Sequence, residues 1–115
     1  MTPREETVPS RIGVFELLVL MAVSAHRDQA YGVAIRRAVA AGRGTDVSSG
    51  AVYTTLERLE TRGFVISRRG DPSEVRGGRP RRYYCLTPSG ESAVRTNVSA
   101  VTLMAGRTPA KLLRS

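Results

Sequence analysis

Six arginines fall between Arg68 and Arg82, in a segment that also holds Gly70, Pro72, Gly77, Gly78 and Pro80. A guanidinium is a planar fork that donates two parallel hydrogen bonds, which suits it to phosphate oxygens and base edges. Gly77 and Gly78 allow a tight turn, and Arg79 is held extended by the proline after it. An extended arginine on a glycine loop fits a narrow A·T-rich minor groove, where the negative potential is strongest. Arg81 and Arg82, at the base of a β-rich run, are placed to clamp phosphates, and Asp71 and Glu74 partly offset Arg68, Arg69 and Arg76. A second set lies upstream. Ser48, Ser49 and Gly50 open an apolar-striped segment in which Tyr53, Thr54, Glu57, Arg58 and Thr61 turn away from the stripe. Hydroxyls of this kind meet base edges or phosphates, and a glycine lets the backbone approach closely.

Each set has a plainer explanation when taken alone. Serines and threonines on an amphipathic helix are commonly just solvated, and arginines in a loop keep a protein soluble. The helix gains meaning from its position before the arginine-loaded turn. Other chemistry has little to stand on. His26 sits beside Asp28 with nothing to position a nucleophile, and one histidine with one cysteine cannot make a typical zinc site. Gly42-Arg43-Gly44 lacks the lysine and spacing of a phosphate loop. Cys85 is expected to pack or face solvent, with a thiol switch the minor alternative because its neighbours are arginines. No cofactor is expected.

The elements that must carry these residues emerge from periodicity. Residues 1–10 read as an arm. A first helix spans about 11–25, with Phe15, Leu18 and Ala22 in one stripe widened by Val14, Leu17, Leu20 and Met21. A helix that apolar is buried on most sides, as a domain centre or a subunit interface. A second spans about 30–41, with Tyr31, Ala34, Ile35 and Ala38 inward, and ends at Gly42-Arg43-Gly44. A third starts at Ser48 or Ser49, buries Val52, Leu56 and Leu59, and closes at Gly63. Phe64-Val65-Ile66-Ser67-Arg68 and Arg82-Tyr83-Tyr84-Cys85-Leu86 read as two strands of a hairpin with a long Gly/Pro-rich tip. Thr87-Pro88 opens a fourth helix as cap and first-turn proline, running to about 104 with Val94, Val98, Val101 and Met104 apolar. Gly106 and Pro109 break it.

At 115 residues the chain is one domain with at most a short appendage, and its core is modest enough that dimerisation adds useful burial. Aromatic residues make up 5% and tryptophan is absent, so aliphatic side chains do most of the packing. The net charge of +8 is carried almost wholly by arginine, Lys111 being the exception, and points to a polyanionic partner. A single cysteine excludes an internal disulfide and suits a reducing cytoplasm. The first ten residues have no apolar core of a signal peptide, and the apolar run 17–25 is too short to span a bilayer.

The pattern resembles the PadR family of bacterial transcription regulators. The likeness runs through Leu17-Leu18-Val19-Leu20, Ala30-Tyr31-Gly32 with Ile35-Arg36, and Ser49-Gly50-Ala51-Val52-Tyr53-Thr54-Thr55-Leu56-Glu57-Arg58-Leu59-Glu60 with Gly63. It ends with Gly78-Arg79-Pro80-Arg81-Arg82-Tyr83-Tyr84 and Leu86-Thr87-Pro88-Ser89-Gly90, covering roughly residues 12–95 in order. It implies a winged helix-turn-helix, mainly α with a small β-hairpin, a homodimer and usually repressor function. The short chain resembles the branch with a single C-terminal dimerisation helix, which pairs with the first helix across the interface. Some relatives stack flat drugs on aromatic side chains between subunits. This chain has no tryptophan and no aromatic residue in its fourth helix, so an effector pocket would have to use Phe15, Val14, Met21, Val98 or Met104.

The organisation expected is an arm at 1–10, a DNA-binding unit at 11–87, a dimerisation helix at 88–105 and a tail at 106–115. Expected DNA contacts are Ser48, Ser49, Gly50, Tyr53, Thr54, Arg58, Arg69, Gly78, Arg79, Arg81 and Arg82. Expected dimer contacts are Phe15, Leu18, Met21, Val94, Val98 and Val101. The expected partners are double-stranded DNA with an inverted-repeat operator, a second copy of the chain and, as an open question, a small-molecule effector. The alternative is a winged-helix module whose basic face docks an acidic protein.

Overall fold

The computed structural model describes residues 11–71 and 81–114. Three helices come first: α1 (Val14–His26), α2 (Gly32–Arg43) and α3 (Ser49–Thr61). A short 3₁₀ turn, Arg27–Gln29, separates α1 from α2. Strands β1 (Val65–Arg69) and β2 (Arg82–Leu86) come next, then α4 (Pro88–Ala105) and a single-turn helix, α5 (Ala110–Leu113).

The helix starts are set by local chemistry. Helix α1 begins three residues later than its apolar pattern suggests, because the N–H of Gly13 donates to the Glu16 carboxylate at 2.8 Å and so closes the first turn. Helix α2 likewise starts at Gly32 rather than near residue 30. Ala30 and Tyr31 are extended enough for Tyr31 to bridge antiparallel to Tyr83 and for the Tyr84 N–H to donate to the Ala30 carbonyl at 2.8 Å. Of the side chains expected inward on α2, Ile35 is fully buried while Tyr31, Ala34 and Ala38 are half-buried, and Val39 completes the buried face. The α2 terminus is Gly44 in the left-handed region (φ 74), as its glycines imply. Beyond Gly106, Pro109 caps the single turn of α5 within the segment expected as a tail.

The core is aliphatic. Val19, Leu20 and Val23 of α1, Ile35 of α2, Val52, Leu56 and Leu59 of α3 and Val65 of β1 are all fully buried. Completely burying a side chain of this size stabilises the fold by about 1.5–3 kcal/mol. Helix α1 is therefore the centre of the domain, yet Val14 and Met21 on its outer side stay exposed.

The hairpin is antiparallel, with Val65 opposite Leu86, Ser67 opposite Tyr84 and Arg69 opposite Arg82. One face, with Ser67, Arg82 and Tyr84, turns toward α3; the other carries Ile66, Arg68, Tyr83 and Cys85. Beyond the strands the Gly70 N–H donates to the Arg81 carbonyl at 2.6 Å, so the ladder continues toward the tip. Helix α4 is riveted to the hairpin base. The Thr87 hydroxyl donates to the Gly63 carbonyl at 2.6 Å and accepts from the Gly90 N–H at 3.0 Å, while the Thr87 N–H donates to the Phe64 carbonyl. Gly90 lies so close to Phe64 that a Cβ there would overlap the Phe64 carbonyl oxygen.

Candidate nucleic-acid interface

Helix α3 turns one side into the core and offers the other to solvent. Ser48 is its cap, with Oγ accepting from the Ala51 N–H at 3.0 Å. With Val52, Leu56 and Leu59 fully buried, the side chains of Ser49, Thr54, Glu57, Arg58 and Thr61 are forced outward. Tyr53 is 46% exposed, and its phenol lies across Gly32, where a Cβ would overlap the ring. Helix α2 thus holds the Tyr53 hydroxyl at the edge of the exposed face. Gly50 differs from the other constrained glycines. Gly32 and Gly90 are demanded by packing, and Gly44 and Gly63 by positive φ, but a Cβ at Gly50 would meet nothing within 4 Å. A helical glycine costs about 0.5–1 kcal/mol relative to alanine, and here the folded chain gains nothing in return.

An open concavity of about 430 Å³ lies between this face and the hairpin, floored by Gly50, Tyr53, Thr54 and Glu57 on one side and Arg82 and Tyr84 on the other. A short relay ties its two walls. The Ser67 hydroxyl donates to the Glu60 carboxylate at 2.9 Å and accepts from the Arg82 guanidinium at 2.9 Å. Burial pushes the Tyr84 hydroxyl above its ordinary pKa of 10.0, with Arg82 pulling the other way, so it remains protonated as a donor. Arg58 is exposed further along α3. Near its C-terminal end, Arg62 pairs with Glu16 at 3.5 Å and stacks on Phe64, locking α3 to α1.

The structure brings Ser48, Ser49, Gly50, Tyr53, Thr54 and Arg82 to one side of the molecule. Arg69 sits exposed opposite Arg82 at the far end of the ladder. Arg81 is placed differently from a free clamp: its guanidinium lies 4.1 Å from the Tyr31 ring centroid. Arg68 covers Tyr83 in the same way at 4.6 Å, and Tyr31 meets Tyr83 edge-on. Gly78 and Arg79, with the rest of 72–80, lie outside the described residues. Sequence reasoning missed Glu60, Ser67, Tyr84 and Gly32. Only Ser67 and Tyr84 carried a signal, in the strand alternation that puts them on the face shared with Arg82.

Cys85 is exposed on the opposite face of the hairpin, in a cleft of about 410 Å³ against Val23, Arg27, Asp28 and Glu91. None of the residues expected to build an effector pocket lines that cleft. Among the described residues no cluster of histidine, cysteine and acids could hold a metal, and no helix is long and apolar enough to cross a membrane.

The residues expected at a subunit interface form a gradient. Phe15, Leu18, Val94 and Val98 are half-buried, Met21 is exposed, and Val101 and Met104 are 57% and 56% exposed. Leu103, Leu112 and Leu113 extend this apolar surface.

A helix-turn-helix whose third helix bears a polar outer face beside a basic hairpin defines a winged-helix regulator. Residues 19–96 match the transcriptional regulator PadR-like family, and the chain belongs to that family. It is a DNA-binding transcription regulator, not an enzyme. Solved structures agree on the fold. A PadR family transcription regulator from hypervirulent Clostridium difficile matches with a TM-score of 0.69 at 22% identity, over 89% of this chain and 100% of that one. One from Eggerthella lenta matches with a TM-score of 0.59 at 29% identity, over 85% and 82%. RosR of H. salinarum matches with a TM-score of 0.61 at 26% identity, over 78% and 74%. No curated protein sequence matches the chain.

Proposed function

We propose that the chain acts as a homodimeric repressor on an inverted-repeat operator. The observation that carries this reading is the pairing of a polar α3 face, open at Gly50, with Arg82 across one concavity. In this arrangement α3 lies in the major groove along its outer face, N-terminal end deepest, from Gly50 through Thr54 to Glu57. Ser48, Ser49, Gly50 and Thr54 read or approach bases, and the Tyr53 hydroxyl meets a phosphate. Arg58, Arg69, Arg81 and Arg82 contact the backbone, Arg81 from its perch on Tyr31. Gly78 and Arg79, in the sequence between the two strands, reach the neighbouring minor groove. Residues 11–87 act as the DNA-binding unit and 88–105 as the dimerisation helix, flanked by an arm at 1–10 and a tail at 106–115.

The exposed apolar side of α4 supports the second half of the proposal. Val101, Leu103 and Met104 are costly in water, and the described residues leave each of them more than half exposed. Pairing with a second copy through α4 and the outer side of α1 covers them, and carries two copies of α3 to half-sites about one helical turn apart. A single exposed cysteine and a basic surface fit action in the cytoplasm.

Selection from a random duplex pool at two salt concentrations tests the reading. An enriched inverted repeat, with affinity falling steeply as salt rises, is the expected result. Salt-sensitive binding without an enriched site would leave only a basic surface and favour an acidic protein partner. Arg79→Ala is expected to weaken binding to every duplex and reduce the salt slope by about one.

A further inference from the structure

Glu57 stands on the outer face of α3 in line with Gly50 and Thr54, seven and three residues away as one side of a helix requires. It is exposed and makes no hydrogen bond or ion pair among the described residues. Carboxylates elsewhere in the fold are engaged: Glu60 accepts from Ser67, Asp46 from Arg36 and the Val47 N–H, and Glu16 from Gly13 and Arg62. Among the described residues nothing rewards Glu57, whose charge acts only to raise the pKa of the Tyr84 hydroxyl across the concavity. Four residues on stands Thr61, and three residues on stands Glu60, a like charge. It is too far from either end of α3 to serve the helix dipole.

On a surface that must meet a polyanion, such a carboxylate lowers affinity for every duplex unless a base offers it a proton. We propose that Glu57 is a specificity-determining residue whose carboxylate accepts from the exocyclic amino group of a cytosine in the major groove. This rests on the reading of α3 as the recognition helix. The choice of base comes from donor and acceptor inventories. An ionised carboxylate only accepts. Guanine presents two acceptors in the major groove, and thymine presents an acceptor and a methyl group. Adenine presents its amino group beside the N7 acceptor, which repels the second carboxylate oxygen. Cytosine alone presents an amino donor with no acceptor on its own base in the groove; on its other side is a C–H, leaving guanine O6 as its single acceptor neighbour, whereas the adenine amino group sits between two acceptors, N7 and thymine O4. At any other base the carboxylate is desolvated without a partner, so Glu57 sharpens discrimination by penalising wrong sites as much as by binding the right one.

The test compares selected sites of the wild-type protein, Glu57→Gln and Glu57→Ala from the same random duplex pool. The wild-type site is expected to carry C·G at one position of each half-site, preferred about tenfold or more. Glu57→Gln, whose amide offers a donor beside an acceptor, is expected to switch that position to A·T, because this pair matches adenine N7 and N6. Glu57→Ala is expected to leave the position degenerate while raising affinity for unrelated duplexes several-fold. Thermal melting of the three proteins should be similar, since Glu57 makes no hydrogen bond or ion pair among the described residues and acts on the fold only through its charge beside Tyr84. An enriched site whose base preferences are identical in all three proteins would overturn the assignment of Glu57 alone. A uniform rise in affinity with no change of preference would do the same, leaving only repulsion of the backbone. Absence of any enriched wild-type site would overturn both this assignment and the recognition-helix reading beneath it.

Discussion

Helix α3 buries Val52, Leu56 and Leu59 completely, whereas α4, started by the same hydroxyl-cap device, buries only Gly90 and Ala93 and leaves Val101, Leu103 and Met104 more than half exposed. Both helices are amphipathic. The difference is that the chain itself supplies partners for the apolar side of α3, from α1, α2 and β1, while among the described residues α4 is buried only near its start and meets little but the short α5 turn at its far end. A helix whose apolar side is satisfied has a free polar side to offer to DNA. A helix whose apolar side is left over has a need that the monomer does not meet.

The contrast can be broken most directly on α4. Val101→Glu combined with Met104→Glu is expected to leave the fold intact and abolish dimer formation, with light scattering giving the mass of one 12.5 kDa chain rather than two. Losing the linked second half-site should cut affinity for an inverted repeat by about a hundredfold or more. A variant that remained dimeric would move the interface elsewhere. The matching change on α3 has a different signature. Leu56→Ala should destabilise the folded chain by about 2–5 kcal/mol in denaturant titration, because the cavity lies wholly within one subunit.

A smaller effect sharpens the same comparison. Gly50→Ala replaces a first-turn glycine whose missing Cβ meets nothing, and is expected to stabilise the free protein by at most about 0.5–1 kcal/mol, the value for a helix interior. The same substitution should weaken binding to the selected operator several-fold, so stability and affinity move in opposite directions. Equal affinity for the operator would show that the α3 tip does not approach DNA closely.

Much of this architecture was legible in the sequence because it rests on local chemistry. The stripe of Val52, Leu56 and Leu59, the cap at Ser48, the bounds of β2 and the Thr87-Pro88 start of α4 each depend on residues within a few positions of one another. What escaped depends on juxtaposition. Tyr31 reads as one more apolar position on α2, yet it leaves the helix to bridge Tyr83 and to carry Arg81 on its ring. Arg81 and Arg82 look alike as neighbours, but strand alternation separates them, and the relay through Ser67 to Glu60 engages only Arg82. Gly32 carries no local mark of its role, which comes from a phenol placed over it by a different helix. The single turn of α5 starts from a cap at Pro109 and is too short for any apolar period to announce it.

The joint at Thr87 has a mechanical meaning. Two carbonyls between the end of α3 and the start of β1 grip its hydroxyl and its N–H, and Gly90 seats against the same stretch with no room for a side chain. Helix α4 is 18 residues long, about 27 Å of lever arm pivoted at this point. In a dimer joined through α4, a swing of about 5° at the joint displaces each DNA-reading head by about 2 Å, comparable to a large part of one base-pair step. In such a dimer the stiffness of a few hydrogen bonds far from any nucleotide would set the ruler for the distance between two half-sites.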